Sequence, residues 1–189
     1  PDVAQKRKDW NGLISGFKAS DLVFLDESGC NTDMTRRYAY SLGGSRAVDS
    51  APLSKPKNTT ILSSIQLDGT LRYTTFSGGT TVERFKRYLE TDLLPHLNGN
   101  SVLIMDNMKS HHAKPVKNLL DSSEIRYIYL PPYSPDLNPI EKLWSKVKAF
   151  LRKFKARTLD ALPNAIQNAF HSVTISDCSG WFRFCGYAL

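Results

Sequence analysis

LPPYSPDLNPIEKLW, residues 130–144, closes one apolar run, IRYIYL (125–130), and opens an amphipathic helix. Pro131, Pro132 and Pro135 hold the intervening chain extended with little conformational entropy to lose. Asn138 and Pro139 then read as an N-cap and a first helical residue, which makes Glu141 the third residue of the helix. Ile140, Leu143, Trp144, Val147 and Leu151 recur at helical spacing and form a side that seeks the core. Glu141 shares its side with Ser145, Lys148 and Arg152. An apolar strand followed by a rigid turn and a helix is the building unit of an α/β sheet.

The rest of the chain supplies further units. SVLIMD (101–106) is an apolar strand followed by a short helix near 115–120, and LVFLD (22–26) is another apolar run ending in an acid. TTILSSIQL (59–67) and TLRYTTF (70–76) flank Asp68-Gly69 and read as a hairpin. RRYAYSL (36–42) reads as a further short strand, with helices over 82–94 and 159–170. The Gly-, Pro- and Ser-rich stretch 43–58 reads as a long surface loop of the kind that touches substrate. Three antiparallel strands followed by strand-helix alternation predict a mixed α/β sheet with helices on both faces. Residues 1–19, with Trp10, Leu13, Ile14 and Phe17, form an N-terminal linker helix. Residues 176–189, with Trp181, Phe182 and Phe184, form a C-terminal tail used for packing or as a partner surface.

At 189 residues the chain suits one domain with a real core. With 41% hydrophobic residues and no apolar run near the ~18 residues of a membrane span, it is expected to have no membrane partner. Lys and Arg number 25 against 18 Asp and Glu, a net charge of +7 that points to a polyanionic partner. Much of the excess lies in one acid-free stretch, Lys142, Lys146, Lys148, Arg152, Lys153, Lys155 and Arg157. A solvated helix face is the competing reading of those charges. Cys30, Cys178 and Cys185 are odd in number and widely spaced, which argues against a disulfide framework and for a reducing compartment, cytosol or nucleoid. His171, Cys178 and Cys185 match no common zinc spacing. Position 1 is Pro and nothing resembles a signal peptide, so the chain is expected to be a piece of something longer.

Asp26 and Asp106 each end an apolar run that belongs inside a sheet, and ligand sites of open α/β sheets gather at the carboxyl ends of strands. Glu27 follows Asp26, but consecutive strand residues face opposite ways, so only one of the two serves a given site, and the residues alone leave that choice open. Both acids also fit a plain strand-to-loop exit. Glu141 has a structural alternative as well, a capping box with Asn138 worth about 1 kcal/mol. Brought together, three acids repel one another and call for a cation. Oxygen-only ligands suit Mg²⁺ or Mn²⁺, and two such ions about 3.5–4 Å apart serve in-line phosphoryl transfer without a covalent enzyme intermediate.

FLDESG (24–29), MDN with His111 (105–111) and LPPYSPDLNPIEKLW together resemble the DDE transposases of the mariner-like superfamily, especially their bacterial insertion-sequence branch. The 34 residues between Asp106 and Glu141 match that group's spacing, and the resemblance runs from about Ser20 to Leu162. It implies a ribonuclease H-like catalytic domain, assigned here to residues 20–175, that cuts DNA phosphodiesters and transfers strands in cut-and-paste transposition. It implies that Asp26 rather than Glu27, with Asp106 and Glu141, is both catalytic and metal-binding, with Mg²⁺ or Mn²⁺, two ions, as cofactor. Asn107 and His111 match companions of the second acid that orient water or a phosphate; the alternative is that Ser110 and His111 merely help to start the next helix.

Terminal-repeat and target DNA are the implied partners, contacted by Lys142, Lys148 and Arg152, with a homodimer or higher oligomer forming on DNA in the bacterial cytoplasm. The family carries helix-turn-helix domains ahead of the catalytic one, whereas about twenty residues precede the first strand here, so specific recognition of element ends is not expected of this chain. Two rival readings are a catalytically inactive DNA-binding remnant and another ribonuclease H-like nuclease that cuts without joining.

Overall fold

The computed structural model describes residues 2–36, 38–50 and 57–187. Its centre is a five-stranded sheet in the order β3-β2-β1-β4-β5. The strands are β1 (Leu22–Cys30), β2 (Thr59–Gln66), β3 (Leu71–Ser77), β4 (Val102–Met105) and β5 (Arg126–Tyr129). β1, β2 and β3 form an antiparallel meander, and β4 and β5 run parallel to β1. This is the mixed sheet expected from the order of the elements.

Alternation along the strands separates two cores. Leu22, Phe24, Val102 and Ile104 face α4 (Ile140–Phe154), α5 (Leu162–His171) and α6 (Ile175–Phe184). Val23, Leu25, Leu103 and Met105 face α2 (Val82–Tyr88) and α3 (Lys114–Ser122). Helices therefore cover both faces, as expected for strands that are apolar along their whole length. α2 starts where the Thr81 hydroxyl accepts the Arg84 N–H at 3.3 Å, and it continues through one π turn, Leu89–Leu93. α4 stops at Lys155, which adopts the left-handed conformation with φ 56°.

Two expectations need correction, and a third, that residues 176–189 serve packing, is met. RRYAYSL forms no strand: residues 36 and 38–42 have no regular structure, Tyr38, Tyr40 and Leu42 are exposed, and Arg37 lies outside the described residues. The alternating pattern is present, but β1 is already paired on both sides and offers it no ladder. The last helix of the expected set starts at Leu162 rather than near 159, because Pro163 sits in its first turn. The 176–189 stretch is largely the helix α6, whose Cys178 and Phe182 are fully buried in the main core. Phe182 packs edge-on against Phe24 at 5.4 Å. A capping box formed by Thr174 and Asp177 starts α6, and Lys146 of α4 pairs with the same Asp177 at 2.5 Å.

The ends of the chain and the long loop are tied to this frame. α1 (Asp2–Ile14) buries Trp10 in the α4–α6 core, and Arg7 meets Asp136 at 2.5 Å and the Ser134 hydroxyl at 2.9 Å. The loop reading of 43–58 is met where it is described, at 43–50 and 57–58; residues 51–56 lie outside the described set. Arg157 donates to the carbonyls of Thr32, Met34 and Ser50, and Lys155 pairs with Asp49 at 2.7 Å. These contacts pin the stretch that leads out of β1, and the loop as far as Ser50, to the end of α4.

Phe182→Ala is expected to lower the unfolding free energy by about 3–5 kcal/mol in urea denaturation, as for a fully buried aromatic. A cost near zero would mean that α6 is not part of the core.

Candidate functional site

The register of β1 with β4 sets Leu25 opposite Met105, so Asp26 and Asp106 follow at the same level on neighbouring parallel strands. β5 ends one strand further on, and Leu130 donates its N–H to the Met105 carbonyl at 2.8 Å before the proline turn begins. The turn returns the chain to α4, which packs on β1. A cavity of about 610 Å³ results, and Asp26, Asp106 and Glu141 all line it, with Glu27, Asn107 and Asn138. The structure thus brings the three sequence-predicted acids to one place.

Each acid has a different surrounding. Asp26 is 9% exposed, takes the Glu27 N–H on Oδ1 at 2.8 Å and the Trp144 indole N–H on Oδ2 at 3.2 Å. Burial raises its carboxyl to about 7, the Glu27 N–H works against that, and the charges of Asp106, Glu141 and Glu27 add to it. Asp106 is more open. Burial opposes its charge, but His111 and the Met108 N–H, both on Oδ1 at 2.8 and 3.0 Å, hold its carboxyl below the ordinary range. Glu141 is exposed in the first turn of α4.

Glu141 is not held by a capping box. The Asn138 N–H that such a box needs is spent on the Pro135 carbonyl at 3.1 Å, and the Asn138 Oδ1 is buried without a hydrogen bond. Asn138 serves α4 through its backbone, accepting the Glu141 N–H at 3.1 Å. The Glu141 carboxylate is left to the cavity.

His111 is fully buried, stacked on Phe85 at 4.2 Å, with Nδ1 at 2.8 Å from Asp106 and Nε2 at 3.2 Å from Glu27. Burial disfavours its charge, yet the two carboxylates outweigh burial and raise its pKa to about 9. Alternation sends the Glu27 and Asp26 side chains to opposite sides of the sheet; Glu27 touches the cavity wall, and its carboxylate is engaged by His111. Asn107 donates to the Leu130 carbonyl and bridges the ends of β4 and β5, and its Oδ1 lies 3.2 Å from Nε2 of His112, which stacks on Tyr129.

Sequence reasoning took Trp144 for a core residue alone and weighed Glu27 only as the alternative to Asp26, not as the partner of His111. Trp144 carried a signal: it is three residues from Glu141 on the same helix, and a buried indole N–H needs a partner. Glu27 carried none without the position of His111.

The basic residues divide. Lys146, Lys155 and Arg157 are engaged within the molecule, as described, and Lys142 lies over the Phe184 ring at 3.9 Å. Lys148 and Arg152 are half-buried further along α4. None of the seven lines the acidic cavity.

The donor set facing the cavity is carboxylate oxygen, which fits a hard divalent cation, and the raised Asp26 carboxyl marks negative charge that lacks compensation. The acids share the cavity without touching. Among the described residues no three His, Cys, Asp or Glu side chains stand close enough together to hold an ion.

The His111 pKa is raised on folding, so its contribution to stability is complete below about pH 6.5 and is lost as the pH rises through about 9. In chelator, the unfolding free energy is expected to fall by on the order of 2–3 kcal/mol over that window. Asp26, an acid with a raised pKa, costs stability in a lower window, between about pH 4 and 7, and does not mask the effect. His111→Gln should remove the fall; an unchanged slope would mean that His111 is not charged.

The sequence pattern described as DDE superfamily endonuclease matches residues 21–163. The Tc1 transposase of Caenorhabditis elegans is 28% identical over 97 residues, covering 49% of this chain and 36% of that protein. The Tcb2 transposase of Caenorhabditis briggsae is 29% identical over 75 residues, 40% of this chain and 28% of that protein. The chain thus spans about a third of the length of these curated relatives. Among solved structures, a pre-cleavage Mos1 transpososome superposes with a TM-score of 0.80 at 18% identity, over 96% of this chain and 59% of that one. The catalytic domain of Mos1 mariner transposase gives 0.73 at 16% identity, over 96% and 86%. At such identities the likeness establishes the fold, the ribonuclease H-like arrangement. With the matched pattern spanning Asp26, Asp106 and Glu141, the chain belongs to the DDE superfamily endonucleases.

Proposed function

We propose that the chain is the catalytic part of a transposase that cleaves DNA phosphodiesters at the ends of a mobile element and joins the freed ends to target DNA. The observation that carries this reading is the convergence of Asp26, Asp106 and Glu141 on one cavity, beside the middle of β1 and beyond the carboxyl end of β4. Those three residues would hold the Mg²⁺ or Mn²⁺ ions, two in number. Bound there, divalent ions supply Lewis acidity to the scissile phosphate and stabilise the departing oxygen.

The protein's own groups set up the reaction. Asp26 and Asp106 are placed by the register of β1 with β4, while Glu141 is delivered by α4, which is seated in the core by Leu143, Trp144, Val147 and Leu151. His111, charged and buried, keeps Asp106 ionised and oriented. In the first step an attacking water breaks the P–O3′ bond and leaves a 3′-hydroxyl and a 5′-phosphate. In the second that hydroxyl attacks a target phosphodiester, one P–O bond forming as another breaks.

Lys148 and Arg152 share the Glu141 side of α4 and would follow the DNA backbone away from the cavity, with Lys142 nearer to it. The catalytic unit is assigned to residues 20–175, with α1 and α6 packed onto it. A homodimer or higher oligomer would form on element ends. The 34-residue interval between Asp106 and Glu141 supports a bacterial insertion-sequence member acting on nucleoid DNA in the cytoplasm. Among the described residues no helix is long and apolar enough to cross a membrane.

Incubation with Mn²⁺, terminal-repeat DNA and a target duplex tests the reading. Cleaved and joined products are expected from the wild type, and Asp106→Asn or Glu141→Gln should reduce both to background while DNA affinity stays nearly unchanged. Binding without nicking would identify an inactive remnant, and nicking without joining another kind of nuclease. Lys148→Ala and Arg152→Ala should each lower the salt dependence of DNA binding by about one unit in log–log slope. Unchanged slopes would return these residues to solvation alone.

A further inference from the structure

The role of Trp144 goes beyond packing. Its ring is 4% exposed in the α4–α6 core and meets Phe170 edge-on at 6.5 Å, a position that Phe or Leu would fill on packing grounds alone. The indole N–H instead donates to Oδ2 of Asp26 at 3.2 Å. We propose that Trp144 is a positioning residue that orients the Asp26 carboxylate toward a divalent cation, an inference that rests on the metal-binding reading of the cavity.

Three observations carry it. The terminal torsion of an aspartate is broad, so the bond from the Glu27 N–H to Oδ1 leaves the carboxylate plane free to turn. A second donor on Oδ2, coming from another element, fixes the plane and leaves the remaining lone pairs for a cation. Indole is a donor without an acceptor function, so this bond favours the carboxylate in its charged form. Finally, Trp144 lies three residues beyond Glu141, on a neighbouring part of the α4 surface. The helix that delivers the third acid therefore also holds the first, and the spacing between the two acids is set by one rigid element rather than by the proline turn.

The test uses the free protein without DNA. Mn²⁺ affinity is measured by electron paramagnetic resonance for the wild type, Trp144→Phe and Asp26→Asn, with thermal unfolding of each variant in chelator. Trp144→Phe keeps an aromatic ring in the core, though a smaller one, and removes the donor. It should weaken Mn²⁺ binding by about 10- to 100-fold, the usual cost of losing a group that orients a ligand, with a melting temperature close to wild type. Wild-type affinity in Trp144→Phe, with or without a lowered melting temperature, overturns the inference and returns Trp144 to packing. A wild type that binds no Mn²⁺ overturns the metal reading itself, and the inference with it.

A second measurement does not need the Trp144 variant. The chain has 3 tryptophans, so its indole N–H signals resolve in a ¹⁵N spectrum. On Mg²⁺ titration the Trp144 signal, identified by elimination with Trp10→Phe and Trp181→Phe, should move to saturation with the same midpoint as metal binding. An unmoved Trp144 signal while metal binds overturns the inference.

Discussion

Parallel pairing of β1 with β4 sets Leu25 against Met105 and leaves an aspartate as the next residue of each strand. Two like charges at the edge of an apolar sheet oppose folding unless the surroundings compensate them. The two are treated differently. Asp106 receives a buried imidazolium, itself secured by Glu27 from beneath the sheet and by stacking on Phe85. Asp26 receives neutral donors from the Glu27 N–H and the Trp144 indole, and burial, with the neighbouring acids, raises its carboxyl to about 7. The imbalance is localised at one wall of the cavity. A cation there would remove it, and the same charge would draw in a phosphate.

The helices make the arrangement specific. α4 brings Glu141 to the mouth of the cavity, Trp144 to Asp26 and, on its apolar side, Leu143, Val147 and Leu151 to the core. α6 and α1 close the same core from outside, through Phe182 and Trp10. A carboxylate on a helix seated this firmly is aimed by packing rather than by a cap. That explains why the Asn138 side chain can stay free of the helix end without loss of order.

Much of this was legible in the sequence. Apolar runs in LVFLD and SVLIMD marked the central strands, Asp68-Gly69 marked the hairpin, and the helical spacing of Ile140 to Leu151 marked the buried side of α4. The misreadings have physical causes. RRYAYSL has the alternation of a strand, but pattern alone does not tell whether its apolar side meets a core, and Tyr38, Tyr40 and Leu42 are exposed. The acid-free run from Lys142 to Arg157 looked like one exposed stripe because its partners, Asp177, Asp49 and the carbonyls near Thr32, are remote in sequence. His111 was legible as a companion of Asp106, whereas its second partner, Glu27, lies 84 positions away on the other face of β1.

Three carboxylates, one on β1, one just beyond β4 and one on α4, are expected to close on divalent ions. In the free protein they line one cavity yet stand too far apart to hold an ion, so closure should be visible directly. A crystal structure with Mn²⁺, read from its anomalous signal, is the decisive measurement. The account predicts peaks in the cavity with oxygens of Asp26, Asp106 and Glu141 at coordination distance, about 2.1–2.2 Å. Peaks elsewhere, or a cavity whose three acids stay apart at saturating Mn²⁺, would contradict it.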